Sequence, residues 1–173
     1  MDPRQFWQLI ESSKAARVDD CDRQADALTA LLLELPTTAI VAFDRLFEHY
    51  ADQAYRNDLW AAAYIINAGC SDDGFEYFRR WLIGQGEAVY TAALRDPESL
   101  LTVVTPHIGG APFLVGALRY ECEPLGYAAD QAYEQKTGSE MPRPPRPQVE
   151  LIGEHWDDED LPAMLPKLWA AFE

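Results

Sequence analysis

Apolar residues recur at helical spacing from the start of the chain. Asp2 followed by Pro3 is typical of an N-cap with proline at the first helical position, and the pattern that follows predicts a helix over residues 3–17. A stripe rich in alanine and leucine over residues 21–35 predicts a second helix, which Pro36 ends. The chain therefore opens with two amphipathic helices.

Two more helices and a tight helical hairpin are expected in the middle of the chain. The threonine pair at 37–38 can cap a third helix with an aromatic buried face. Asp58 can cap the stretch LWAAAYIIN, which is apolar on nearly all sides and is therefore expected at the centre of the domain. We expect Gly69 to end this helix in a left-handed conformation and Ser71 to cap the next one, so that the two pack as a hairpin.

The second half of the chain continues the helical pattern. Helices are expected over Glu87–Arg95 and over residues 113–135, the latter with a break at Pro124 and a stop at Gly138. Residues 101–108 are β-branched and could form a short strand, but this single run has no obvious partner. The predicted fold is all-α, a compact single-domain orthogonal bundle of at least six helices.

The composition changes abruptly after residue 140. Residues 141–147 read MPRPPRP and are expected to run as an extended polyproline II strap. Residues 150–160 hold six acids and no Lys or Arg. We therefore expect a helical domain over 1–140, a proline-rich and acidic extended segment over 141–160, and an apolar C-terminal segment over 161–173 that packs back on the domain.

The charge balance narrows the classes of partner. The chain carries 14 Lys+Arg against 29 Asp+Glu, a formal net charge of −15, which argues against nucleic acid and against anionic membranes. No apolar run approaches the roughly 20 residues of a transmembrane helix, and no secretory signal is expected at the start. Cys21, Cys70 and Cys122 form no CxxC pair, and their odd number fits a reducing cytosol. We therefore expect a cytoplasmic protein whose partner is another protein, with an oligomeric state that the sequence leaves open.

The densest group of polar residues lies at the predicted hairpin. Asn67, Ser71, Asp72 and Asp73 lie close together near the positive end of a helix dipole, and Arg79 follows two turns later. As a ligand site, these residues would offer Asp72 or Asp73 as a general base, with Arg79 or Asn67 orienting an anionic or polar substrate. The structural alternative needs no ligand, because Ser71 caps the helix and each aspartate complements its dipole for roughly 0.3–1 kcal/mol.

Arg79 carries a more specific prediction. At about 100° per residue its side chain leaves from inside the apolar stripe that begins at Phe75. An unpaired buried charge is too costly to persist, so we expect partial burial and a bidentate carboxylate partner from outside the helix.

No other pattern points to catalysis, a cofactor or a metal. The three histidines, His49, His107 and His155, have no metal-binding spacing. Cys70 stands at a helix N-terminus, but the adjacent aspartates disfavour its thiolate, so we expect a packed residue and no nucleophile. The PxxP spacing with Arg143 and Arg146 could serve as a polyproline ligand, although a strap over the domain's own aromatic residues is the favoured interpretation.

One long motif resembles a known family. The segment DLWAAAYIINAGCSDDGFEYFRRWLIGQG, together with FWQLIE near the start and LPKLW near the end, resembles the bacterial domain-of-unknown-function family 4240 over nearly the whole chain. The resemblance leads us to expect two glycines before the cysteine, where this chain has Ala68 and Gly69. It implies a cytoplasmic bacterial setting, and it implies no reaction, substrate or catalytic residue.

Two hypotheses of different classes follow. The leading one is a non-enzymatic interaction or regulatory module that meets a partner protein through its surface. The alternative is an enzyme or small-ligand binder that uses the hairpin corner from Asn67 to Arg79. Convergence of the corner residues and an arginine in one open cleft would favour the alternative, whereas locally engaged carboxylates would favour the module.

Overall fold

A computed structural model describes residues 1–15, 21–104 and 120–172 of the chain. Within these ranges the protein is all-α, as predicted. Its α-helices are α1 (Pro3–Lys14), α2 (Cys21–Leu33), α3 (Thr37–Gln53), α4 (Asn57–Ile66), α5 (Asp72–Gly84), α6 (Glu87–Arg95), α7 (Ala128–Thr137), α8 (Leu161–Met164) and α9 (Pro166–Phe172). Short 3₁₀ segments cover Pro97–Thr102, Pro124–Tyr127 and Asp158–Asp160. One isolated parallel bridge joins Arg56 and Ile152.

Helix α4 lies at the centre of the fold. Leu59, Ile66 and all three alanines of α4 are buried, as the apolar character of this helix predicted. The ring of Trp60 stacks on that of Phe75 in α5, with their centroids 4.8 Å apart. Its indole nitrogen donates to the carbonyl of Cys70, 3.1 Å away. The tight connection between α4 and α5 thus packs as the expected hairpin.

Most predicted boundaries are confirmed, and two predicted caps are wrong. The carboxylate of Asp2 accepts from the main-chain N–H of Gln5 and completes a capping box at α1. Helix α3 begins at Thr37 with Pro36 at its N-cap, so no threonine hydroxyl caps it. Helix α4 begins one residue before Asp58, whose carboxylate instead holds Arg56 and lies in the first turn. At α3 the N-cap lies one residue before the predicted threonine pair, and at α4 it is Arg56, two residues before the predicted Asp58.

Helix α7 ends at Gly138, as predicted. Residues 113–119 of the predicted helix lie outside the described residues, and residues 120–123 are not helical. A 3₁₀ segment begins at Pro124, α7 follows it directly, and Gly138 ends α7 with φ at +72°. Half of the candidate strand over residues 101–108 lies outside the described residues, and its described half, residues 101–104, forms the end of the 3₁₀ segment that begins at Pro97 and the residues just after it, with no strand. Leu161, Leu165 and Leu168 of the last two helices are buried in the core.

The expectation of unpaired cysteines is wrong. Cys21, at the start of α2, forms a disulfide with Cys122, and Cys70 takes part in no disulfide. The two cysteines are 101 residues apart in sequence, so no local pattern announces the pair. The disulfide weakens the argument for a reducing compartment, because disulfides are rare there.

Candidate functional site

The hairpin corner is built on two consecutive left-handed residues. Ala68 has φ at +52° and Gly69 has φ at +118°. Glycine adopts such angles freely, whereas alanine is strained there. The position at which the family resemblance predicted a first glycine is therefore one where the backbone favours glycine, and this chain carries alanine instead.

Replacing Ala68 with glycine should stabilise the protein. The left-handed conformation costs alanine about 1–2 kcal/mol, and the greater freedom of glycine in the unfolded chain offsets part of the gain. We expect Ala68→Gly to raise the free energy of unfolding by about 0.5–1 kcal/mol in urea titrations. Gly69→Ala is the matched control: its added Cβ meets nothing within 4 Å, so a loss of about 1 kcal/mol or more would come from backbone strain alone. A less stable Ala68→Gly protein would contradict this account.

The polar side chains that follow the corner are engaged locally or exposed. The Ser71 hydroxyl accepts from the main-chain N–H of Gly74 at 3.1 Å and caps α5, as predicted. Asp72 and Asp73 are exposed in the first turn of α5, where they complement the helix dipole. This arrangement is the one that the structural interpretation expects.

Asn67 is buried and faces a different part of the chain. It is 1% exposed, and its side-chain oxygen accepts from the main-chain N–H of Tyr120 at 3.0 Å. Two residues later the N–H of Cys122 donates to the carbonyl of Tyr77. The Asn67 amide nitrogen is buried without a hydrogen-bond partner in the part of the chain that the structure describes. Asn67 therefore joins the end of α4 to the segment that leads into the disulfide.

Arg79 is half-buried, as predicted, but its predicted carboxylate partner is wrong. Its Nη1 donates to the carbonyl of Ala51 at 2.7 Å, in the last turn of α3. The guanidinium lies over the rings of Tyr55 and Phe75, at 4.7 and 5.3 Å from their centroids. A free carbonyl at a helix C-terminus and two aromatic faces thus replace the carboxylate. Burial lowers the pKa of the Arg79 guanidinium from its usual value, and the carboxylate of Glu76 opposes this effect.

The five predicted site residues do not gather in the cleft that Arg79 lines. This cleft, of about 180 Å³, lies beside α3 and α5, and its charged lining consists of Glu48, Asp52, Glu76, Arg79 and Arg80. None of the other four candidate residues lines it. With three carboxylates against two guanidinium groups, the cleft does not favour an anion.

A second group of charged residues, absent from the sequence-based candidates, lies where residues 141–147, the strap, cross α3. Arg143 of the strap donates from Nη2 to Asp44 at 2.9 Å and to Asp130 of α7 at 2.7 Å. Arg146 donates to Glu48 and, at 2.5 Å, to Asp52. We call Asp44, Glu48 and Asp52 the α3 ridge. The two arginines of the strap therefore lie against acidic side chains, a contact that the sequence did not predict, and the expected crossing over aromatic residues stays a prediction.

The spacing of the ridge explains why one helix can hold both arginines. Its three acids lie four residues apart, which places them along one face of α3. This spacing, together with Arg-x-x-Arg in the strap, was the available sequence signal for the contact. A cavity of about 240 Å³ remains between strap and helix, and Arg45 and His49 also line it.

On this surface the positive side chains of the strap lie against negative side chains of α3 and α7. The hydrogen bond to Asp44 raises the pKa of the Arg143 guanidinium above its usual value. Burial raises the pKa of Asp52, and the nearby Arg79 and His49 lower it in part.

Among the described residues, no group of three or more His, Cys, Asp or Glu side chains is arranged to hold a metal ion. Nor does any helix in the described ranges have the length and apolar character needed to cross a membrane.

The comparisons with known proteins return one family. A family model described as a protein of unknown function (DUF4240) matches residues 1–135, which confirms the family and the resemblance over that range, whereas the LPKLW motif lies beyond it. No curated protein and no solved structure matches the chain. The α3 ridge and Asp130 lie inside the matched range, whereas the strap lies outside it.

Proposed function

The chain belongs to the DUF4240 family, and we propose that it acts as a non-enzymatic interaction module whose contact surface is the strap together with the α3 ridge. The observation that carries this proposal is the strap itself. Residues 142–148 are all exposed, yet two arginines hold the segment against four carboxylates. An ordered, exposed, proline-rich segment is a form of surface that proteins use for recognition.

The anchoring of the strap supports a recognition role over a linker role. Met141 is buried at one end, and the main chain of Ile152 pairs with that of Tyr55 and Asn57 at the other. A segment rich in proline and charge buries little apolar surface of its own and would otherwise remain disordered. Anchoring at both ends keeps the strap beside the α3 ridge, so the two present one surface to a partner.

The expected setting is the bacterial cytoplasm, which follows from the family resemblance and stays a prediction. The Cys21–Cys122 disulfide is the observation that weighs against it. An interaction module needs no particular redox compartment, so the proposed function does not depend on the outcome.

Site-specific photo-crosslinking in the host cell tests the proposal. A photo-crosslinking amino acid in place of Arg45, which lines the cavity under the strap, should give an adduct with one discrete polypeptide. The same amino acid in place of the exposed Asp72 is the matched control and should give none. The captured polypeptide, once purified, should bind the full chain in calorimetric titration, and Glu48→Gln with Asp52→Asn should weaken that binding at least about tenfold. Equal adducts at both positions, or none at Arg45, would contradict the proposal.

The alternative of a small-ligand site at the corner keeps one supporting observation. The amide nitrogen of Asn67 and Nε of Arg79 are buried without a hydrogen-bond partner among the described residues. A ligand that binds only the native state raises the melting temperature, so a thermal-shift screen of metabolites separates the two functions. A shift that Arg79→Lys abolishes would favour the ligand site over the module.

A further inference from the structure

We propose that the α3 ridge is a binding site for an extended, proline-rich segment of a partner protein that carries Arg-x-x-Arg, and that the strap occupies this site as a tethered competitor. This inference rests on the proposed function and specifies the chemistry of the partner. The strap is then the ligand that occupies the site in the free protein, and the partner segment can replace it.

The ridge is more than a group of surface acids, because one of its carboxylates is buried. Asp44 is only 7% exposed, and its Oδ1 accepts from the guanidinium of Arg143 at 2.9 Å. A buried carboxylate without a cationic partner is strongly unfavourable. Asp44 therefore requires a cation at this position, and the strap can leave most readily when another guanidinium takes its place.

The geometry of the contact matches an extended peptide to a helix. Arg143 pairs with Asp44, and Arg146 pairs three residues later with Glu48 and Asp52. The midpoint of the last two acids lies six residues after Asp44, which is about 9 Å along a helix. Three residues of polyproline II also span about 9 Å. Any Arg-x-x-Arg segment in this conformation has the same register as the ridge, whichever chain supplies it.

The strap is held in a way that permits exchange. Its four prolines have no N–H to donate, and among the described residues no main-chain hydrogen bond joins residues 141–147 to α3. The ion pairs of Arg146 with Glu48 and Asp52 are partly exposed, so salt weakens them, whereas the pair with the buried Asp44 is screened less. A cavity of about 240 Å³ between strap and helix also leaves the ridge incompletely covered.

A tether makes the strap an effective competitor without tight binding. Short flexible connections give effective concentrations on the order of 1 mM. A peptide that binds the open ridge with a Kd of about 100 µM would then be weakened about tenfold in the native chain. Only a partner with more contacts or a higher local concentration would displace the strap.

The test uses a fluorescent peptide with the sequence of residues 140–148 and the full chain. Arg143→Gln with Arg146→Gln removes both arms of the strap, and this double variant should bind the peptide at least about tenfold more tightly than the native chain in anisotropy titrations. Arg143→Lys with Arg146→Lys keeps a cation beside Asp44 but loses the planar fork, so it should bind with intermediate affinity. The lysine variant also covers the case in which the glutamine variant fails to fold.

Two controls separate this inference from general charge attraction. The peptide with both arginines replaced by glutamine should not bind. Adding Glu48→Gln and Asp52→Asn to the Arg143→Gln, Arg146→Gln variant should remove its binding of the native peptide. If the Arg143→Gln, Arg146→Gln variant is folded but does not bind the native peptide, or binds the arginine-free peptide equally well, the inference is overturned. If the peptide binds as described and Arg45 gives no adduct in cells, the ridge stands as a peptide site and the cellular function proposed above fails. If Arg45 gives an adduct in cells but the peptide does not bind, the cellular function stands and the peptide site at the ridge fails.

Discussion

Reduction of the Cys21–Cys122 disulfide should lower the free energy of unfolding by about 2–4 kcal/mol. The disulfide closes a loop of about a hundred residues, and in the chain-entropy model such a loop contributes about 4.7 kcal/mol through the unfolded state. Opening it also frees Cys122, whose N–H is paired with Tyr77, from the start of α2. Urea unfolding of the oxidised and reduced protein measures the difference directly.

The third cysteine supplies the control for this measurement. Cys70 takes part in no disulfide, so Cys70→Ala should leave the difference between the oxidised and reduced protein unchanged. Cys21→Ala with Cys122→Ala should reproduce the loss without any reductant, since alanine removes the bridge and leaves no thiol in the buried position of Cys122. A loss below about 1 kcal/mol on reduction would show that the bridge hardly constrains the unfolded chain.

Local signals in the sequence sufficed wherever a few neighbouring residues decide the structure. Helix α6 has its predicted bounds, because Gly86 precedes it and Asp96-Pro97 restricts its continuation. Ser71 caps α5 as predicted, because a hydroxyl three residues before a free N–H needs no distant partner. The predicted caps were wrong at α3, where Pro36 is the N-cap, and at α4, where Arg56 is the N-cap two residues before Asp58.

Arg79 shows where periodicity stops being informative. The helical repeat gave the direction of its side chain and therefore its partial burial. It could not show what lies across the interface, where the last turn of α3 offers the carbonyl of Ala51 and the segment after α3 offers the ring of Tyr55. A carboxylate was the expected partner because it is the strongest single acceptor for a guanidinium. A helix C-terminus combined with aromatic faces serves the same need with no second charge.

The strap contact and the disulfide could not be derived because their partners are far apart in sequence. Arg146 and Asp52 are 94 residues apart, and the disulfide spans 101. Composition identified the strap, and the spacing of Asp44, Glu48 and Asp52 is enough to show that they share one face of α3, but nothing in either pattern links the two. The hairpin corner was the opposite case. There, dense polar residues drew attention to a site, whereas Ser71 and the aspartates are accounted for by helix capping.

Ile66→Ala should lower the free energy of unfolding by about 2–5 kcal/mol. Ile66 is fully buried in the last turn of α4, the helix that packs against α5, α8 and α9. Truncation removes three carbon atoms and leaves a cavity that the surrounding helices close only in part. Urea unfolding with a constant m-value would assign the change to the native state.

A matched isoleucine on the surface tests whether this loss comes from burial. Ile152 is 49% exposed, and the hydrogen bonds that join it to Tyr55 and Asn57 use only its main chain. Ile152→Ala should therefore change the free energy of unfolding by no more than about 0.5 kcal/mol. Equal losses for the two variants, or a loss below about 1 kcal/mol for Ile66→Ala, would mean that α4 lies at the periphery of the folded protein. The loss of stability is expected to be several-fold larger for Ile66→Ala than for Ile152→Ala. The side chain of Ile66 is buried away from water, whereas that of Ile152 is already partly exposed to water in the folded protein.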